Sequence, residues 1–180
     1  NFGRGLPRAM ACPGVPVASV GDLDTYGLFP SVKDASDRND ILNVFSQMYG
    51  RGDGRDMVSE FISQTGEDAM VGADILSGAP AKYSSSVEYA ANPLANSLKD
   101  AARVMFAEVG TRFFYTQHGS FDTHGGELPV HSKLWEDVSS SIGDFMDDVR
   151  EHGQGESTAI LVFSEFGRRI KDNGSGTDHG

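Results

Sequence analysis

A single cysteine, Cys12, stands in 180 residues, so no disulfide framework can form within the chain. No run of eighteen or more apolar residues exists, which leaves no segment able to span a membrane as a helix. Bases are scarce: 15 Lys and Arg stand against 26 Asp and Glu, a formal net charge of -11. That balance disfavours generic binding to nucleic acid or to anionic membranes. It fits a soluble protein, or a site that neutralises its own acids with metal. There is no Gly-x-Ser-x-Gly elbow, no Walker-type phosphate loop and no dinucleotide fingerprint, so the common nucleophile and nucleotide signatures are excluded. No signal peptide is visible in a chain that begins at Asn1, and Asp178-His179-Gly180 reads as the start of a loop. The expectation is a fragment of a longer protein.

What is present suits one α/β domain with a sizeable core. Val15–Val20 reads as a short edge strand beginning near Pro16. A helix is expected from about Ser36 to Tyr49, capped by Ser36 or Asp34, with Ile41, Leu42, Phe45 and Met48 inward and Gly50 as its end. Arg51–Arg55 reads as a turn. A second helix spans about Asp56 to Leu76, with Val58, Phe61, Ile62, Met70 and Ala73 inward and Gly66 weakening its middle. Gly78–Ala91 reads as loop. Asn92-Pro93 is a cap followed by a first-turn proline, and Leu94, Leu98, Ala101, Met105 and Val109 recur at helical spacing up to Gly110.

Arg112–Thr116 has the aromatic content of a strand. After a polar loop, Gln117–Pro129, a helix from about Ser132 to Glu151 carries Leu134, Val138, Ile142, Phe145 and Val149 on one stripe. Asp144, Asp147 and Asp148 then fall on its solvated side. Thr158–Phe163 is a short apolar run of the kind buried on both faces of a parallel sheet. Strand, helix and strand over 111–163 predict a right-handed parallel crossover.

Polar clusters follow both predicted strands, where open α/β sheets bind ligands. His118, Asp122, His124 and Glu127 follow the first; Glu165, Arg168, Arg169, Asp178 and His179 follow the second. Asp and His together ligate zinc, manganese or iron, whereas calcium and magnesium prefer oxygen alone. An arginine fork pairs with an oxyanion. Taken singly, such loop residues are more often turn formers or solvated groups, and Glu165 could simply pair with Arg168 or Arg169. Clusters at two strand ends favour a site. His131 belongs near a helix start and His152 at a helix carboxyl end.

Three ordered motifs carry a family resemblance: Phe121-Asp122-Thr123-His124, Ser164-Glu165-Phe166-Gly167-Arg168 and Asn173-Gly174-Ser175-Gly176-Thr177-Asp178-His179-Gly180. They resemble the domain-of-unknown-function family fifteen-oh-one, a bacterial family of the alkaline-phosphatase/sulfatase-like superfamily, with the clearest match over 92–180. The resemblance implies a three-layer α/β/α sandwich with a mostly parallel sheet, occupied by a single partial domain. It implies a divalent metal (zinc, manganese or calcium) held by Asp122, His124, Glu165 and His179, and an anionic group bound by Arg168. Asp178 is a weaker ligand candidate. Glu165 is followed by Phe166 where an Asp-His pair belongs, so a full two-zinc centre is not expected. Sulfatases use a cysteine in a Cys-x-Pro-x-Arg pattern, which Cys12-Pro13-Gly14-Val15-Pro16 does not match, and the nucleophile is not assigned to any residue here.

The function this implies is an exported, periplasmic or extracellular, metal-dependent hydrolase of phosphate or sulfate esters. Its substrate would be a small anionic ester or a sulfated or phosphorylated polymer, with other secreted proteins as further partners. The rival expectation is a non-catalytic secreted structural or assembly protein that keeps the fold. A weaker third is a carbohydrate-binding module using Tyr115, Phe121 and Trp135, aromatics that read first as core.

Overall fold

A computed structural model describes residues 1–3, 5–10, 17–28, 31–32, 34–49 and 57–180. Four helices dominate: α1 (Ala35–Tyr49), α2 (Met57–Lys82), α3 (Pro93–Phe106) and α4 (Glu127–Glu151). Two short strands, β1 (Arg168–Asp172) and β2 (Thr177–His179), pair antiparallel. Single 3-10 turns occupy Arg8–Met10 and Gly155–Ser157. The chain forms two compact units, one of residues 1–83 with 103–115, the other of 84–102 with 116–180.

This corrects the expected three-layer sandwich. Among the described residues the only sheet is the β1–β2 hairpin; an isolated parallel bridge joins Phe2 and Val20, and Thr116 is also a bridge residue. Neither Arg112–Thr116 nor Thr158–Phe163 forms a strand ladder, although the Tyr115 carbonyl accepts from the Phe2 N–H at 2.8 Å. Leu161 and Phe163 are 82% and 66% exposed. The physical reason is pairing. A short apolar run is a buried parallel strand only when neighbours take up its N–H and C=O groups, and none is at hand among the described residues. The first two residues of the predicted Val15–Val20 strand, the Arg51–Arg55 turn and Gly50 lie outside the described residues; of 17–20, Val20 alone takes part in a bridge.

In the first unit, Asp34 caps α1, its carboxylate accepting from the N–H groups of Ser36 and Asp37 at 2.8 and 3.1 Å. Helix α2 runs past Gly78 and Pro80 to Lys82, since a proline near a helix end forfeits one bond of the last turn. Its buried positions are Gly66, Ala73, Leu76 and Ala79, not the expected Val58, Phe61 and Ile62, which are exposed. Phe2, Val20, Leu23, Val104 and Ala107 complete the buried apolar set of this unit.

In the second unit, Asn92 caps α3, its Oδ1 accepting from the Ala95 N–H at 2.9 Å and from the Ser141 hydroxyl of α4 at 3.1 Å. Helix α4 starts five residues earlier than its apolar stripe suggests, because Pro129 falls in the first turn, where a missing N–H costs nothing. It ends in a Schellman motif: Gly153, at φ 72°, donates to the Arg150 carbonyl and Gln154 to that of Val149, both at 2.9 Å. Leu134, Phe145 and Val149 are buried as the stripe predicts.

The acids of α4 are not a solvated face. Asp147 is exposed, but Asp148 is fully buried, accepting from the Tyr89 hydroxyl at 2.7 Å and facing His152 Nδ1 at 3.1 Å. Asp144 accepts from the Ala90 N–H at 2.8 Å, and Glu151 from the N–H and hydroxyl of Ser86. These carboxylates fasten the 84–92 segment along α4, satisfying backbone donors that the segment, lacking regular structure, leaves open. Among the described residues no helix is long and apolar enough to cross a membrane.

Candidate metal centre

The site is assembled from two stretches, the loop before α4 and the β1–β2 hairpin. The hairpin forms because Asn173-Gly174 supplies its turn. Gly174 sits at φ 99°, a conformation that favours glycine, and Asn173 N–H donates to the Gly176 carbonyl at 2.9 Å. Asn173 also donates through Nδ2 to the His124 carbonyl at 3.1 Å and to Asp178 Oδ1 at 3.0 Å. One side chain thus ties the turn to both stretches.

Arg168 locks the loop onto the hairpin. Its guanidinium donates to the carbonyls of Phe121, Thr123 and Thr177, and to the Thr123 hydroxyl at 3.1 Å. Glu127, at the start of α4, accepts from the Thr177 N–H and from its hydroxyl at 2.8–3.0 Å, with Arg168 Nε 3.7 Å away. The Thr177 hydroxyl above all, helped by its N–H and the Arg168 charge, holds the Glu127 carboxyl below the ordinary value of 4.5, against burial, which comes second in size and opposes it. Gly176 is required here, since a Cβ would come within 2.8 Å of Glu127.

With the backbone so held, three expected ligands converge. Asp122 Oδ1 lies 3.1 Å from His124 Nε2 and 2.9 Å from His179 Nε2. One ligand atom from each of the three falls within 4.8 Å of the others. His124 turns its second nitrogen, Nδ1, to Asp178 Oδ1 at 3.2 Å. The His124 bond, followed by that from Asn173, keeps the Asp178 carboxyl below its usual range. Phe166 stacks on His179 at 4.5 Å between ring centroids, walling one side. The other side is open to solvent: the side chains of Asp122 and His124 are 62% and 55% exposed.

Two imidazole nitrogens and a carboxylate oxygen, with an open side and an outer carboxylate orienting one imidazole, are the donor set of a catalytic zinc or manganese site. They suit calcium poorly, because it prefers oxygen ligands.

Glu165, the fourth expected ligand, is exposed and lies outside the converging group. Arg168, the expected anion binder, commits its two terminal nitrogens to main-chain carbonyls and the Thr123 hydroxyl. His118 and Glu127 of the same predicted cluster point elsewhere: His118 packs edge-on against Phe121 with Asp137 4.0 Å away, and Glu127 serves the hairpin. His131, half-buried, contacts Glu127 and the Phe121 ring. The roles of Asn173 and Thr177 were missed, although an Asn-Gly pair between polar strands is the strongest short hairpin signal in a sequence.

A family model described as "Protein of unknown function (DUF1501)" matches residues 31–180. No curated protein and no solved structure matches the chain.

Proposed function

The chain belongs to DUF1501, a family of unknown function, and from the geometry of its site we propose that it is an exported, metal-dependent hydrolase of phosphate or sulfate esters. The observation that carries the reading is the convergence of Asp122, His124 and His179 from segments more than fifty residues apart. Export, and the alkaline-phosphatase or sulfatase class of chemistry, rest on the motif resemblance alone. Asp122, His124 and His179 would hold a divalent ion. When bound, it would supply positive charge against the oxygens of the ester and a source of activated water.

The chain's own groups have separable tasks. Asp178 fixes the ring of His124, and Asn173 fixes Asp178. Arg168 holds the Phe121–Thr123 backbone, so that Asp122 and His124 stay on one side of the loop. Arg169 is exposed and lies near enough to Asp178 to help depress its carboxyl. It is a cation placed to pair with an anionic substrate, in place of the committed Arg168.

The test is metal content and hydrolysis together. Purified full chain should hold one equivalent of zinc or manganese and cleave p-nitrophenyl phosphate or sulfate. Asp122→Ala and His124→Ala should lose both. Protein without stoichiometric metal, whose esterase activity survives Asp122→Ala, would end the proposal. One observation favours the rival non-catalytic reading: Arg168, adjoining the site, is closed on main-chain carbonyls. A metal that binds tightly while both esters stay intact would select that reading.

A further inference from the structure

Helix α2 carries an apolar seam on the face turned away from α1. Tyr49 of α1 lies so close to Gly66 that a Cβ there would overlap its ring, which fixes the face that α1 covers. Met57 and Ile75 each stand nine residues from Gly66, about two and a half turns, and so on the opposite face. Between them the positions Met57, Phe61, Gln64, Asp68, Val71 and Ile75 follow the alternating four-and-three spacing of a coiled-coil seam. Met57, Phe61, Val71 and Ile75 are 86%, 72%, 58% and 45% exposed.

The seam reads alike from both ends. Met57 and Ile75, Phe61 and Val71, and Gln64 and Asp68 are placed symmetrically about Gly66. We propose that a second copy of this chain docks on this face, with the two α2 helices antiparallel about a two-fold axis. Met57 then stands opposite Ile75 of the other copy, and Phe61 opposite Val71. The mirror order of the four exposed apolar positions about Gly66 is what a two-fold axis between antiparallel helices requires. The seam is about 27 Å long. Its four exposed apolar side chains offer roughly 500 Å² of the ~800 Å² per partner that a standard interface buries.

The experiment is sedimentation equilibrium on the full chain at tens of micromolar, with cysteine cross-linking in a Cys12→Ser background. The chain should sediment at twice its monomer mass. Phe61→Glu and Val71→Glu should each weaken the dimer by at least about tenfold while leaving the helical circular dichroism unchanged, since both positions are exposed in the monomer. Phe61→Cys with Val71→Cys should give an intermolecular disulfide, and neither single variant should, because positions ten apart on one helix stand about 15 Å apart. A monomer at that concentration, cross-linking by one single variant as efficient as by the pair, or dimers that survive both glutamates would each overturn the proposal.

Discussion

Replacing Arg168 by Met separates two roles for one residue. The side chain is 18% exposed, and its guanidinium serves the carbonyls of Phe121, Thr123 and Thr177 and the Thr123 hydroxyl. Methionine keeps most of the aliphatic stem and removes every donor. A hydrogen bond from a charged donor is worth about 1.5–3 kcal/mol net, and such bonds within one network do not add. The freed carbonyls sit at the rim of an open site, where water can reach them. The expected loss is therefore about 3 kcal/mol rather than the sum.

Trp135 is the only tryptophan and packs edge-on against Phe121 at 5.4 Å, so its fluorescence follows the unit that Arg168 holds. With chelator present, the urea midpoint of that signal should fall by about 1–2 M. Zinc affinity should fall about 10–100-fold, as for loss of a group that orients ligands. An unmoved midpoint with a raised KM for the ester would mean that Arg168 binds substrate, and would refute the clamp.

Phe145→Ala, at a 4% exposed core position of α4, should cost about 3–5 kcal/mol in the same unfolding assay. Asp148→Ala should cost about 3 kcal/mol, because it removes a fully buried carboxylate that accepts from the Tyr89 hydroxyl and faces the His152 ring. The Glu151 carboxyl is held below its ordinary 4.5 chiefly by the Ser86 N–H, then by the Ser86 hydroxyl. A depressed carboxyl stabilises the fold fully above that value and ceases to as pH falls through the lower, folded value, so thermal stability should drop below about pH 4.5 and the drop should shrink in Glu151→Gln. Gly176→Val should detach the hairpin from Glu127 and lower metal affinity, read by zinc titration, while α4 stays helical.

The helices were legible because their signals are local. Asp34 and Asn92 announced two caps, and the stripe from Leu134 to Val149 announced α4. The sheet was misread because strand identity is not local. Thr158–Phe163 has the composition of a buried strand, and only pairing partners decide whether it becomes one. Of the four residues expected to meet, Asp122, His124 and His179 do come together and Glu165 stands apart, since motif order survives an error in architecture. What brings them together is a hairpin turn and an arginine clamp, not two parallel strand ends. The inward face of α2 was mistaken in its first half for the opposite reason: Gly66, read as a weak point, is where Tyr49 packs, and Val58, Phe61 and Ile62 are exposed, while Ala73 is buried as expected.

X-ray absorption at the zinc edge of the zinc-loaded chain tests the central claim most directly. The account predicts two imidazole nitrogens and one carboxylate oxygen at about 2.0–2.2 Å, with one imidazole lost in His179→Ala. A shell of water oxygens alone, or a spectrum that His179→Ala leaves unchanged, would contradict it.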